Sequence, residues 1–176
     1  MKIKENKLFG IRAARCTISD KNSFLRRLQK IAGEYETHII CFDADKLAGI
    51  RHVQAALTHA LRSFRNGTQI SNNFEMEALL YAAGSRQTSV ASTFGLHAGG
   101  NRMYIACCPM RDEVWRHLEG VAELCPERDP WEAISSDKQV RLMELFEISE
   151  RELETTDWSA FVNLVLERVA MLDVYR

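Results

Sequence analysis

Only three prolines occur in 176 residues, and no Pro/Gly linker, internal repeat or low-complexity tract divides the chain. Nothing therefore calls for a second domain, and one compact domain over residues 1–176 is expected, with a 46% apolar content sufficient for a substantial core. Also missing is any apolar run of the ~20 residues that a membrane span needs, and the N-terminus lacks a signal-peptide core. Both absences predict a soluble, cytoplasmic protein. Cysteine is scarce and odd in number: Cys16, Cys41, Cys107, Cys108 and Cys125 are scattered and mostly embedded in apolar runs, which suits buried thiols rather than a disulfide framework. Adjacent Cys107 and Cys108 on a strand would face opposite ways, so they do not make a tetrahedral metal site.

Sequence signatures of catalysis are equally scarce. There is no G-x-S-x-G elbow, no Gly-rich phosphate loop followed by Lys-Ser/Thr, no H-E-x-x-H pair and no C-x-x-C with metal spacing. Glu75 and Glu77 are two apart, so on one helix they point to different sides and read as solvated surface, or for Glu75 as a helix cap. The expectation is a protein without catalytic residues, cofactor or metal. A small enzyme with a site assembled from Arg86, His52 and a distant carboxylate is the alternative, and it would need a deep pocket with convergent polar groups.

The net charge of −1 conceals an asymmetry. Residues 1–102 carry 15 Lys and Arg against 8 Asp and Glu, and residues 103–176 carry 8 against 16. Either the basic half meets a polyanion and the acidic half a protein, or the halves interleave in space and cancel.

Periodicity predicts an α+β domain: a small, mostly antiparallel sheet packed by several helices. Strands are expected over Lys7 to Cys16, His38 to Phe42 and, most clearly, Met103 to Cys108. A long helix over Asp45 to Phe64 places Ile50, Val53, Leu57, Ala60, Leu61 and Phe64 on its core face, with Arg51, His52, His59, Arg62 and Arg65 on the other side. Asn72 with Glu75 resembles a capping box opening a second helix, which Gly84 closes. Pro109 suits the first turn of a helix that Pro126 stops. Ser136 with Gln139 and Ser149 with Glu152 are further capping patterns. The last helix, about Asp157 to Val174, has Trp158, Phe161, Val162, Val165 and Val169 on one face. Leu164, Met171 and Tyr175 lie on a second, which packs on the protein's own sheet or awaits a partner.

Within residues 70–87 stand Asn72-x-Phe74-x-Met76-Glu77 and, one helix later, Ala82-x-Gly84-x-Arg86-Gln87. With Gly10 to Arg15, Asp43-Ala44-Asp45, Arg51-His52-Val53 and the strand after Gly99-Gly100-Asn101, they run in the order and spacing of a known family. The chain resembles the TPRKB-type accessory subunits of the KEOPS complex over nearly its whole length, most specifically in those eighteen residues. The resemblance implies a non-catalytic subunit that binds the small atypical kinase/ATPase subunit of that complex. It also implies that the protein helps hold tRNA by its single-stranded 3′ CCA end while threonylcarbamoyl is transferred to the adenosine beside the anticodon. Cationic groups on phosphates and edge contacts to splayed bases are how such strands are held. Arg51, His52, Arg86 and Gln87 match family positions and become the tRNA candidates, with Asn72 and Asn73 as edge readers. For the kinase contact, physical reasoning alone, without the motif, offers Leu164, Met171, Tyr175 and Leu118. A protein scaffold without an RNA role is the remaining alternative.

Overall fold

The structure is a computed structural model that describes residues 8–125, 134–154 and 158–175, with the side chains of 158 and 159 left out. In chain order the described elements are β1 (Gly10–Ile18), α1 (Lys21–Glu34), β2 (His38–Asp43), a 3-10 turn (Ala44–Lys46), α2 (Ile50–Asn66), α3 (Phe74–Ala83), α4 (Thr88–Ser92), β3 (Gly99–Cys108), α5 (Asp112–Leu118), β4 (Glu123–Leu124), α6 (Ser136–Leu145), α7 (Glu150–Glu154) and α8 (Trp158–Met171). The strands form one antiparallel sheet in the order β2-β3-β1-β4. The expected α+β class is what the chain adopts.

β3 gives the clearest strand pattern because it is interior, with β1 on one side and β2 on the other. Side chains alternate across a strand, so both of its sets must be apolar. Tyr104, Ala106 and Cys108 join Ile40 and Phe42 beneath α2, α3 and α8, while Met103, Ile105 and Cys107 join Ile39 and Cys41 against α1 and α5. Cys107 and Cys108 thus face opposite layers. Burial raises the thiol pKa of Cys41 and pushes that of Cys108 up to about 11, so both are inert packing groups at neutral pH.

The helix boundaries differ from expectation where a local hydrogen bond competes. α2 begins at Ile50 because Ala44–Lys46 forms a 3-10 turn, with the Asp43 carboxylate accepting from Asp45 N–H at 3.0 Å. Asn73, one residue beyond the expected cap, is the N-cap of α3 and accepts from Met76 N–H at 2.7 Å. Likewise Ser135 rather than Ser136 caps α6, accepting from Lys138 N–H at 3.2 Å. The Ser149–Glu152 box forms as read: Ser149 N–H donates to Glu152 at 2.8 Å and Glu152 N–H returns to Ser149 Oγ at 3.4 Å. Those bonds, followed by the Arg168 guanidinium at 2.6 Å, hold the Glu152 carboxyl at a pKa of about 2. α5 starts three residues past Pro109 and ends at Leu118, with Val121 and Ala122 in the turn that leads into β4. Pro126 lies outside the described residues. So does the side chain of Trp158.

α3 is buried nearly all round. Phe74, Glu77, Ala78, Leu80, Tyr81, Ala82 and Ala83 are all enclosed, because α2 and α8 cover the helix away from the sheet. That placement brings Arg51 and Arg86, two of the tRNA candidates of the sequence, next to the C-terminal helix.

Candidate protein and nucleic-acid interface

The motif after α3 is built against α8. Gly84 ends α3 in the left-handed conformation, φ 58°, and a Cβ there would lie 3.3 Å from the Arg168 carbonyl oxygen, so its lack of a side chain permits the close approach. Arg86 is exposed, and its Nη1 donates to the Tyr175 carbonyl at 3.1 Å, placing a cation at the end of α8 where helix carbonyls lack partners. Arg51, also exposed, donates from Nη2 to Asn163 Oδ1 at 3.1 Å near the start of the same helix. Asp173 locks the last turn: it accepts from Tyr81 OH at 2.6 Å and from His59 Nδ1 at 2.6 Å, with Arg62 Nη2 at 3.6 Å. The basic first part and the acidic last part of the chain are therefore interleaved here, the second of the two charge readings.

α8 turns Phe161, Val165, Val169 and Leu172 into the core. Leu164 is half-buried against that same core, and Met171 is half-buried at the edge. Beyond them Val174 and Tyr175 are each 68% exposed, an apolar end whose backbone is tied to the domain by the Asp173 and Arg86 hydrogen bonds.

Two sequence candidates are displaced. His52 was expected on the solvated face of α2 but is fully buried. Its Nδ1 accepts from Ala48 N–H at 3.1 Å, so Nε2 carries the proton and donates to the Ala82 carbonyl at 2.8 Å. Burial lowers its pKa to about 4 against the opposing pull of the Ala82 bond, and a neutral core imidazole has no route to a phosphate. Leu118 is also fully buried, packed with Val114 and Trp115 beneath the sheet, and has no surface for a partner.

The remaining RNA candidates form two groups rather than one. Arg51, Arg86 and Gln87 lie toward the C-terminal end of α3, with Gln87 exposed at the start of α4. Exposed Asn72 and Asn73 sit at its N-terminal end, about 15 Å away for ten residues of helix. Sequence reasoning missed what orders the loop before α3. Glu77, read as solvated, is fully buried, and its carboxylate accepts from Ile70 N–H at 2.9 Å, Ser71 N–H at 2.8 Å and Ser63 Oγ at 2.9 Å. Glu75, read as a cap or solvated surface, bonds His38 Nδ1 at 2.8 Å. That hydrogen bond raises the His38 pKa. Burial pushes the Glu75 carboxyl up, but that bond, the residue's own backbone N–H and the His38 charge together hold it below its ordinary value.

A surface of this kind, with an exposed apolar end after α8 and cations beside it, is suited to holding another macromolecule. Residues 16–173 match the family described as kinase binding protein CGI-121. The chain belongs to that family. No curated protein matches the sequence. In this CGI-121 protein Gly84 and Arg86 serve the placement of α8, and Glu77 that of the loop before α3. Among the described residues no helix is long and apolar enough to cross a membrane.

Proposed function

We propose that this protein is a non-catalytic accessory subunit of the KEOPS type, which binds the small atypical kinase/ATPase subunit through the end of α8 and helps recruit tRNA by its 3′ CCA end. The observation that carries the kinase contact is the pair Val174 and Tyr175, exposed and apolar on a turn fixed by Asp173 and Arg86, in a chain of the kinase-binding family. An apolar group held in one geometry loses little freedom on docking, which favours its use as an anchor. Met171 and the exposed edge of Leu164 extend the patch. For RNA, the exposed Arg51, Arg86 and Gln87 supply donors to phosphates, and Asn72 and Asn73 supply edge contacts.

Changing Val174 to Asp together with Tyr175 to Ala is expected to weaken capture of the kinase subunit by about tenfold or more, the scale of losing a central anchor, with the thermal melt unchanged because neither side chain is in the core. Undiminished affinity would sink the kinase surface. In parallel, trimming CCA from tRNA is expected to weaken its binding. A scaffold without an RNA role would bind intact and trimmed tRNA equally poorly.

A further inference from the structure

The two arginines assigned to RNA both donate to α8 or to the turn that follows it. Arg51 Nη2 reaches Asn163 Oδ1 at 3.1 Å near the start of the helix, and Arg86 Nη1 reaches the Tyr175 carbonyl at 3.1 Å just past its end. The second bond is to main chain, at a residue whose exposed side chain is half of the apolar anchor. The joint around it is close. A Cβ at Gly84 would lie 3.3 Å from the Arg168 carbonyl oxygen, and Tyr81 OH, on the last turn of α3, donates to Asp173 at 2.6 Å. A guanidinium presents several N–H donors in a fixed planar fork, and the Tyr175 carbonyl takes one of them. Arg86 is exposed, and among the described residues its Nε and Nη2 edge makes no hydrogen bond and no carboxylate pairs with its charge.

We propose that Arg86 belongs to both surfaces at once and couples them: Nη1 holds the Tyr175 backbone of the kinase anchor while the Nε and Nη2 edge takes an RNA phosphate, so that each partner binds more tightly when the other is present. The inference rests on the kinase and RNA reading above. A phosphate accepts two parallel bonds from one edge of a guanidinium, and such charge-assisted bonds are about twice as strong as a neutral one. With a single donor, the phosphate would strip Arg86 from Tyr175 and RNA would loosen the anchor. The fork removes that conflict, because the two acceptors use different nitrogens. What they share is the ordering of one side chain. Immobilising a long, exposed side chain lowers the affinity of a binding event by about three- to tenfold. The partner that arrives second finds it already ordered, which is positive cooperativity without a change of fold. By linkage the factor is the same in both directions. Arg51 supplies the contrast: its acceptor is a side-chain amide at the other end of α8, so a phosphate on Arg51 orders nothing that the anchor uses.

The test measures the affinity of the full chain for the kinase subunit with and without saturating intact tRNA. The parent is expected to bind the kinase subunit about fivefold more tightly when tRNA is present, the size of one side-chain ordering. The ratio is taken within each variant, so a change in affinity for either partner alone cancels. Arg86→Lys keeps the charge on a single nitrogen but loses the planar fork, and is expected to bring the ratio to about one, whereas Arg51→Lys keeps it near the parent's. The Arg86 Nε–H resonance of the parent is a second readout, independent of whether the variants fold, and is expected to shift with tRNA alone. A parent that binds both partners with a ratio of one leaves the functional reading intact and overturns the coupling. So does a ratio below one, which would mean that phosphate withdraws Arg86 from the anchor. A ratio that persists in Arg86→Lys means that the RNA reaches the kinase subunit directly, against the proposal. An Nε–H signal indifferent to bound tRNA also overturns it. A parent that fails to bind one of the two partners overturns the reading and the coupling together.

Discussion

Glu77→Ala is expected to lower stability by about 4 kcal/mol and to release the loop ahead of α3. The carboxylate is fully buried and is the acceptor for the Ile70 and Ser71 amides. Leaving a buried donor unpaired costs roughly 1–3 kcal/mol each, and two main-chain donors lose their partner together. Ser63 adds little, because its single hydroxyl proton has the Ala60 carbonyl at 2.9 Å as an alternative acceptor. Glu77→Gln keeps one carbonyl oxygen and is expected to lose about half as much. Urea denaturation measures the loss, and hydrogen exchange at Ile70 and Ser71 locates it. Since Asn72 and Asn73 lie on the same stretch, RNA binding should fall in step with the loop's order. A Glu77→Ala protein with the parent's midpoint and protected amides would refute the role.

His52→Ala is expected to cost about 3 kcal/mol, combining a cavity with an unpaired Ala48 N–H and Ala82 carbonyl. The imidazole also meets the Phe146 ring at a centroid distance of 5.3 Å, so the cavity opens between α2, α3 and the segment after α6. This residue sets a pH dependence too. In the unfolded chain a histidine takes up a proton near pH 6.5. In the folded protein burial holds that event down to about 4. Below pH 6.5 the unfolded state therefore binds more protons, and stability is lost as pH falls from about 6.5 toward 4, reaching roughly 3 kcal/mol from this group. Above pH 6.5 its contribution is complete and flat. Denaturation midpoints measured across that window should slope in the parent and lose most of the slope in His52→Gln. An equal acid slope in both proteins would show that other groups carry it.

Helices and strands with one simple period were readable. The alternation of β3, the stripe of α2 and the reciprocal Ser149–Glu152 cap are local patterns that tertiary packing reinforces. His52 and Glu77 were misplaced because polarity was taken as a sign of exposure. Position carried the better signal: His52 precedes Ala56 by four, and Glu77 follows Phe74 by three and precedes Tyr81 by four, all on buried stripes. Leu118 was offered as a kinase contact although the helical stripe it shares with Val114 and Trp115 reads as inward-facing, and the inward reading is the one the structure bears out.

The family was carried by the sequence, because the spacing of Asn72 to Gln87 survives without any knowledge of packing. So were the α+β class and most element types, which follow from periods of about 3.6 and 2 in apolar residues. Only the tertiary structure decided what each motif residue does. A helical repeat says which side chains share a face but not what that face meets, and here α3 is enclosed by α2 and α8. Enclosure turned His52 and Glu77 into core hydrogen-bonding groups and set Gly84 and Arg86 against the last helix.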